Sequence, residues 1–296
     1  MGGAEYMISA YGLINDPTMR HFLDAARTRG VATRFVDLAL AVECGWEIRL
    51  PPDERSWTNT PEGRIPLLNG LPAYCRLIDL GSIETQSAAS WHAFTSALSG
   101  WLELDTGRVV NRPGHPQDNA SKPLHEAILA RMGLEVPPSF SGSGRSELIG
   151  FAEQGPTIAK ALCGQRTDCR RVTVEDFADY EDAQGPVHLQ RFVEGEDVRA
   201  HVIGESVLAV SVRSANVDYR LDRSARFQEI SLPNSLCRQL VAATAAHGFT
   251  FVGWDLRISS HACWTLEMNP MPGYSYYDDK LNGAISDVLI DYLLES

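Results

Sequence analysis

The sequence predicts a mixed α/β and α+β protein whose first part is built on a parallel sheet and whose last part is antiparallel. Two observations carry this reading. The opening alternates strand, helix and strand, which is the connection of a parallel βαβ unit. Towards the end, VLAVSVRS follows DVRAHVI across only Gly204-Glu205, and FTFVGWDLRI and ACWTLEMN flank a turn around His261, so hairpins dominate there. With 296 residues the chain has room for two or three modest domains.

The elements follow in order. YMISAYGL (6–13) is a short apolar run, and Asp16 then offers a helix N-cap with Pro17 at the first helical position. Met19, Phe22, Leu23 and Ala26 recur at helical spacing, Gly30 stops the helix, and VATRFVDL (31–38) returns as a strand. Residues 45–75, rich in Pro, Gly and Trp, read mostly as loop, and a helix over 84–104 closes the first domain near residue 115. Ser121 caps a helix with Leu124, Ile128 and Met132 on one face, ended by Gly133. The loop SGSGR (141–145) is either a flexible connection or a lid over a ligand. A helix (146–154), the strand PTIAKAL and a helix capped by Thr173 come next. After the strands VHLQRFV, DVRAHVI and VLAVSVRS, Asn234 caps a helix carrying Leu236, Leu240, Val241 and Thr244, and a last helix covers 283–294.

Composition narrows the function. A net charge of -12 argues against a nucleic-acid partner, which would need a basic face, and no apolar run approaches membrane-spanning length. Six scattered cysteines without metal spacing, and a start that lacks the marks of an export signal, give the expectation of a reduced, cytoplasmic protein. Lysine occurs only at 122, 160 and 280. Retention in a chain that prefers arginine is consistent with a need for a compact ammonium, or with chance.

The most informative stretch is WDLRISSHACWTLEMNP. Asp255 and Glu267 are equidistant from His261, so a hairpin centred there sets them opposite one another, and Asn269 shares the face of Glu267. Opposed carboxylates repel unless a positive charge lies between them, and oxygen ligands from Asp, Glu and Asn suit Mg²⁺. The alternative is a solvated polar sheet face. Walker A, GxSxG, HExxH, EF-hand and GxGxxG patterns are all absent from the sequence.

Lys160 stands between Ile158 and Leu162 on its face of a strand, where it either meets an anion such as nucleotide phosphate or guards a sheet edge. Lys122, just before a helix, is a second candidate. Arg199 and Arg220, each close to an aspartate (Asp197, Asp218), either hold phosphate oxygens or form surface ion pairs.

Taken in order, these segments resemble the ATP-grasp superfamily, nearest to the ribosomal-protein glutamate ligases and the graspetide (microviridin-type) peptide maturases. NASKPLHEAILARMGLEVPPSF and TIAKALCG resemble the two lysine segments. HLQRFVEGEDVRAHVIG resembles the adenine hinge with its ribose acid and phosphate arginine, SANVDYR a further arginine segment, and GWDLRI and LEMNP the metal strands. The resemblance implies an ATP-grasp fold: a pre-ATP-grasp α/β domain (1–118), a central subdomain (119–187) and a C-terminal subdomain with the metal site (188–296), ATP lying between the last two. It implies phosphate contacts from Lys122 and Lys160, an adenine pocket lined by Gln190, Arg191, Phe192 and Val193 largely through backbone, and a ribose contact from Asp197, with Glu194 or Glu196 instead because the hinge is short. Arg199 and Arg220 face the γ-phosphate and the acyl phosphate; Asp255, Glu267 and Asn269 hold Mg²⁺, with Mn²⁺ as a substitute. The loop CGQRTDCRRV departs from the family in having one glycine, with Arg166, Arg170 or Arg171 to compensate. The implied activity is carboxylate–amine or carboxylate–hydroxyl ligation through an acyl phosphate, on a peptide or amino acid, in a protein that forms homo-oligomers in many look-alikes. Tyr274, Tyr276 and Tyr277 either stack on substrate or pack in the core. The rival readings are a small-molecule kinase and a non-catalytic ATP-binding partner protein.

Overall fold

The computed structural model describes residues 7–78, 88–114, 121–162, 169–214, 219, 222 and 224–295. β1 (Met7–Gly12), α1 (Pro17–Thr28) and β2 (Ala32–Asp37) form the expected βαβ unit, with β1 and β2 parallel. The Asp16 carboxylate caps α1 by accepting the Thr18 N–H at 3.1 Å, and Met19, Phe22 and Ala26 are buried at the helical spacing that predicted them. Residues 45–75 are not mainly loop. After α2 (Leu38–Cys44), the short strands β3 (Trp46–Glu47), β4 (Trp57–Thr60) and β5 (Gly63–Pro66) make a small antiparallel sheet, and β6 (Ala73–Cys75) pairs in parallel with β1. Strands of two to four residues among Pro and Gly are too short to show an alternation. α3 (Ala88–Leu104) leads to β7 (Val109–Val110), which completes the parallel order β2-β1-β6-β7. Positions 84–87 of the expected helix lie outside the described residues.

The middle unit holds α4 (Lys122–Arg131), β8 (Ser139–Gly142), α5 (Arg145–Glu153), β9 (Thr157–Lys160), β10 (Arg170–Val172) and β11 (Val187–Arg191), in an antiparallel sheet ordered β10-β9-β11-β8. Three readings change here. α4 buries His125, Glu126 and Leu129, whereas Leu124 is 52% exposed, so its inner face combines two polar residues with Leu129 instead of the expected Leu124/Ile128/Met132 stripe. Ser141 and Gly142 of the SGSGR segment are strand, and Gly144 is the N-cap of α5. Thr173 caps a short 3₁₀ turn, Val174–Phe177, through a reciprocal capping box with Asp176. β11 also belongs to this sheet, although the expected boundary at 187/188 falls at its start.

β12 (Glu196–Ile203), β13 (Ser206–Arg213), β14 (Arg226–Ile230), α6 (Asn234–Ala246), β15 (Phe251–Ile258) and β16 (Cys263–Asn269) build the last sheet, ordered β14-β13-β12-β15-β16. β14 carries no apolar alternation and was not expected. Asn234 is the first residue of α6 and Pro233 takes the cap position, without a side-chain bond. Alternation along the long strands divides the sheet into two faces. Val198, Ala200, Val202, Val252, Trp254, Leu256 and Met268 point into one core with Leu240 and Ala243 of α6 and Leu129 of α4. The opposite face is apolar at one end and polar at the other. Its apolar end, Ile203, Val210 and Phe251, shares a single core with Ile8, Met19, Phe22 and Tyr74 of the first unit and with Ile285, Leu289 and Ile290 of α8 (Ala284–Leu294). Asn111 crosses the same junction: its side chain donates to Phe251 O and Pro270 O at 2.5 and 2.6 Å and accepts from Thr250 N and Phe251 N at 2.9 and 2.8 Å.

Candidate nucleotide and metal site

The polar end of the last sheet carries the expected metal residues. β15 and β16 pair Asp255 with Glu267 and Gly253 with Asn269, so all three oxygen-bearing side chains leave one face. The hairpin itself is not centred on His261. Ile258 pairs with Cys263, which by strict alternation would set Asp255 opposite Leu266 and turn Glu267 into the Trp254 core. The register shifts between Asp255 and Leu256, and the extra residue Leu266 of this bulge restores Glu267 to the carboxylate face.

β12 extends the row. Arg199 lies opposite Asp255 and its Nη1 donates to Asp255 Oδ1 at 2.7 Å, giving a guanidinium and two carboxylates on adjacent strands. Arg199 is 6% exposed. Burial works against its charge, but Asp255 outweighs this and holds the guanidinium protonated. Its Nε finds no partner among the described residues, which leaves a buried donor for an anion. The guanidinium sits close over Gly253: a Cβ there would stand 2.1 Å from Nη2. Beside it, the Tyr219 and Tyr277 hydroxyls share a hydrogen bond of 2.5 Å. Asn269 Oδ1 accepts the Met271 N–H at 2.9 Å, which fixes its amide. No group of three or more His, Cys, Asp or Glu that could hold a metal occurs among the described residues. The donor set is instead two carboxylates and an amide, hard oxygen ligands that suit Mg²⁺, and Arg199 balances the charge of Asp255.

The lysines meet on the middle sheet. The Lys122 N–H, at the start of α4, donates to Leu162 O at 3.1 Å, just past Lys160 at the end of β9. Lys160 Nζ donates to Gln190 Oε1 at 2.6 Å. Burial pushes its ammonium below the usual lysine range; Cys169, Glu126 and Glu267 act against that shift and Lys122 adds to it. The charge of Glu267 acts on Lys160, which links the lysine pair electrostatically to the metal strand.

The hinge residues differ from one another. The Gln190 side chain is fully buried and faces Lys160. The Arg191 guanidinium turns to the end of α5, donating to Phe151 O at 2.6 Å and Thr157 Oγ1 at 2.6 Å and stacking on the Phe151 ring. Phe192 packs against the guanidinium groups of Arg171 and Arg257, 3.8 and 4.7 Å from its centroid, and Val193 is half-buried. Asp197 pairs with Arg257 Nη2 at 3.2 Å and Glu196 with Arg213 at 2.7 Å. Glu194 is exposed, and Arg170 pairs with Asp176 at 3.0 Å. Arg220 and Arg166 lie outside the described residues. Tyr274 and Tyr277 pack in the core, whereas Tyr276 is 49% exposed.

Sequence reasoning missed the residues beneath these. Glu126 accepts from Gln190 Nε2 at 2.6 Å, His188 Nε2 at 3.0 Å and Ser139 Oγ at 2.5 Å, while Ser141 Oγ bonds His188 Nδ1 at 2.8 Å. His125 Nε2 accepts the Met268 N–H at 2.9 Å, tying α4 to the metal strand. The available signal was the spacing of Lys122 and Glu126, one helical turn apart, and the alternation of His188 and Gln190 on one face of β11.

Two antiparallel α+β units preceded by a parallel βαβ unit form the ATP-grasp fold. No family model matches the chain. Among curated proteins it resembles the "Probable alpha-L-glutamate ligase 2" of Hahella chejuensis (strain KCTC 2396), 27% identical over 288 residues that cover 92% of this chain and 90% of that protein. Among solved structures it superposes on the ATP-grasp ligase PsnB complexed with a phosphomimetic variant of minimal precursor, Mg and ADP, with a TM-score of 0.78, 21% identity and coverage of 97% and 98% of the two chains. The macrocyclase MdnC bound with precursor peptide MdnA, from Microcystis aeruginosa MRC, gives a TM-score of 0.79 at 16% identity, covering 98% and 100%.

Proposed function

We propose that the chain uses ATP to activate a carboxylate of a peptide as an acyl phosphate and then joins that acyl group to an amine or hydroxyl. The observation that supports this most is the row Arg199–Asp255–Glu267, a buried guanidinium and two facing carboxylates on three adjacent strands. In the first step a carboxylate oxygen attacks the γ-phosphorus, the bond to the β-phosphate oxygen breaks, and ADP leaves. In the second, the amine or hydroxyl attacks the acyl carbon, phosphate departs with the electron pair of the C–O bond, and the nucleophile gives up its proton. Such chemistry asks the protein for in-line positioning and charge neutralisation.

Lys122 and Lys160 take the phosphates, and the backbone of Gln190, Arg191, Phe192 and Val193 borders the adenine. Asp197 meets the ribose by exchanging its bond to Arg257 for one to a hydroxyl. Arg199 presents its unpartnered Nε–H to the γ-phosphate and the acyl phosphate, joined there by Arg220 on the strength of its place in the sequence. Asp255, Glu267 and Asn269 would hold Mg²⁺ or Mn²⁺, which supplies Lewis-acid neutralisation of the transferred phosphoryl group. A peptide is the favoured substrate because the structural neighbours PsnB and MdnC are described with precursor peptides. We place the boundary between the nucleotide-holding subdomains after Arg191, where β11 leaves the middle sheet. No helix among the described residues is long and apolar enough to cross a membrane, which is compatible with a cytoplasmic site of action.

The test is a trap. Hydroxylamine added during turnover with ATP and a carboxylate-bearing peptide should yield a peptide hydroxamate, with ADP release dependent on the carboxylate. A phosphorylated peptide that forms no hydroxamate would make the protein a kinase.

A further inference from the structure

Beneath the lysine site lies a closed polar network that the ligase chemistry does not explain. Glu126 on α4 is 6% exposed, and His188 and Gln190 on β11 are fully buried. Groups this deep must find partners or destabilise the fold. Their directions can be assigned from the bonds. Glu126 is acceptor to Gln190 Nε2 (2.6 Å), His188 Nε2 (3.0 Å) and Ser139 Oγ (2.5 Å), three donors that suit an ionised carboxylate. Burial alone would raise its proton affinity, yet the bonds from His188 and Ser139 and the positive charges of His188, when protonated, and Lys160 prevail and hold it below the usual carboxylate range. His188 therefore carries its proton on Nε2, and in its neutral form Nδ1 accepts from the Ser141 hydroxyl at 2.8 Å. With its amide N–H fixed on Glu126, Gln190 has only its carbonyl left, and that carbonyl receives the Lys160 ammonium at 2.6 Å.

We propose that Glu126 is a positioning residue of the nucleotide site, which locks the Gln190 amide in one of its two orientations and thereby fixes where the Lys160 ammonium stands. The flipped amide would turn its NH₂ towards the ammonium and its carbonyl towards the carboxylate, two repulsive contacts in place of two attractive ones. Glu126 is at the same time a counter-charge to Lys160, separated from it by one neutral amide. Because α4 also begins with Lys122 and reaches the metal strand through His125, one helix sets the height of both lysines over the site. The inference rests on the reading of Lys160 as a phosphate ligand.

A double-mutant cycle on the full chain tests both, with calorimetric titration of the non-hydrolysable ATP analogue AMPPNP and Mg²⁺. Glu126→Gln removes the charge and frees the Gln190 amide to flip; it is expected to weaken binding about tenfold, and Lys160→Ala at least about tenfold. The double variant should bind within about twofold of Lys160→Ala, since the first change acts only through the lysine. Unaltered binding in Glu126→Gln would overturn the proposal, as would an equal loss in both backgrounds, which would mark a general effect on the fold. If Lys160→Ala binds like the unmodified protein, the phosphate reading itself fails and the inference with it. Should Glu126→Gln not fold, Gln190→Met removes the intermediate amide and is judged by the same cycle.

Discussion

At Lys160 a half-buried ammonium meets a hydrogen-bonded amide on one side and the electrostatic reach of Lys122 and Glu267 on the other. Its truncation to alanine should weaken Mg·ATP at least tenfold, about 1.4 kcal/mol, as read by calorimetry. Glu267→Gln should behave differently, because it keeps the shape and removes one charge from the facing pair. Turnover should fall about a hundredfold or more, about 2.7 kcal/mol, while ATP affinity changes only a few-fold, since ground-state binding is shared with the cationic residues. A change in affinity as large as that in rate would take Glu267 away from the transferred phosphoryl group. At this scale the sequence was legible where a polar residue interrupts an apolar pattern, as Lys160 does between Ile158 and Leu162. It was not legible at Glu126 or His188, whose partners lie on another element and are joined only by folding. Arg191 shows the converse: the sequence singles it out for its backbone, and nothing there says that its side chain is spent on Phe151 and Thr157.

Along the strands, the facing of Asp255 and Glu267 was read from their equal distance to His261. The turn lies half a residue earlier, and the bulge at Leu266 compensates, so the expected pairing was reached by a hairpin of different register. Long alternating strands such as β12, β13 and β15 announce themselves, because each face repeats every second residue. β14 and the strands between residues 46 and 66 do not, since partners rather than patterns hold them. Gly253 is a strand position where an added side chain would bear directly on the site. An alanine there would push the Arg199 guanidinium off Asp255, because the added Cβ would lie 2.1 Å from Nη2. Gly253→Ala should therefore fold with a melting temperature within a few degrees of the unmodified chain yet lose about tenfold or more in turnover. Full activity in this variant would show that Arg199 works equally well elsewhere.

Over the whole molecule, the first unit was expected as a domain of its own, yet its sheet shares a core with the last sheet and α8. Asn111 fastens that junction with four hydrogen bonds to the backbone of residues 250, 251 and 270. Asn111→Ala leaves those backbone groups without their partner and should cost about 2–4 kcal/mol in chemical denaturation. A loss below about 1 kcal/mol would mean that water replaces the amide. The junction could not be read from the sequence because Ile8, Phe22 and Tyr74 are apolar on any account, and nothing in their spacing says whether the opposing wall is their own helix or one near residue 290. This common core also limits how such an enzyme can be recombined. A chimaera that imports a foreign first unit to change the substrate would carry half a core into contact with the wrong half, and would fold only if Met19, Phe22 and Tyr74 travelled with the matching α8, or were rebuilt on the newcomer. Crossovers after Arg191, between separate sheets, would spare that packing but divide the lysines from the metal strands, so the seam easiest to cut mechanically is the one that chemistry most needs intact.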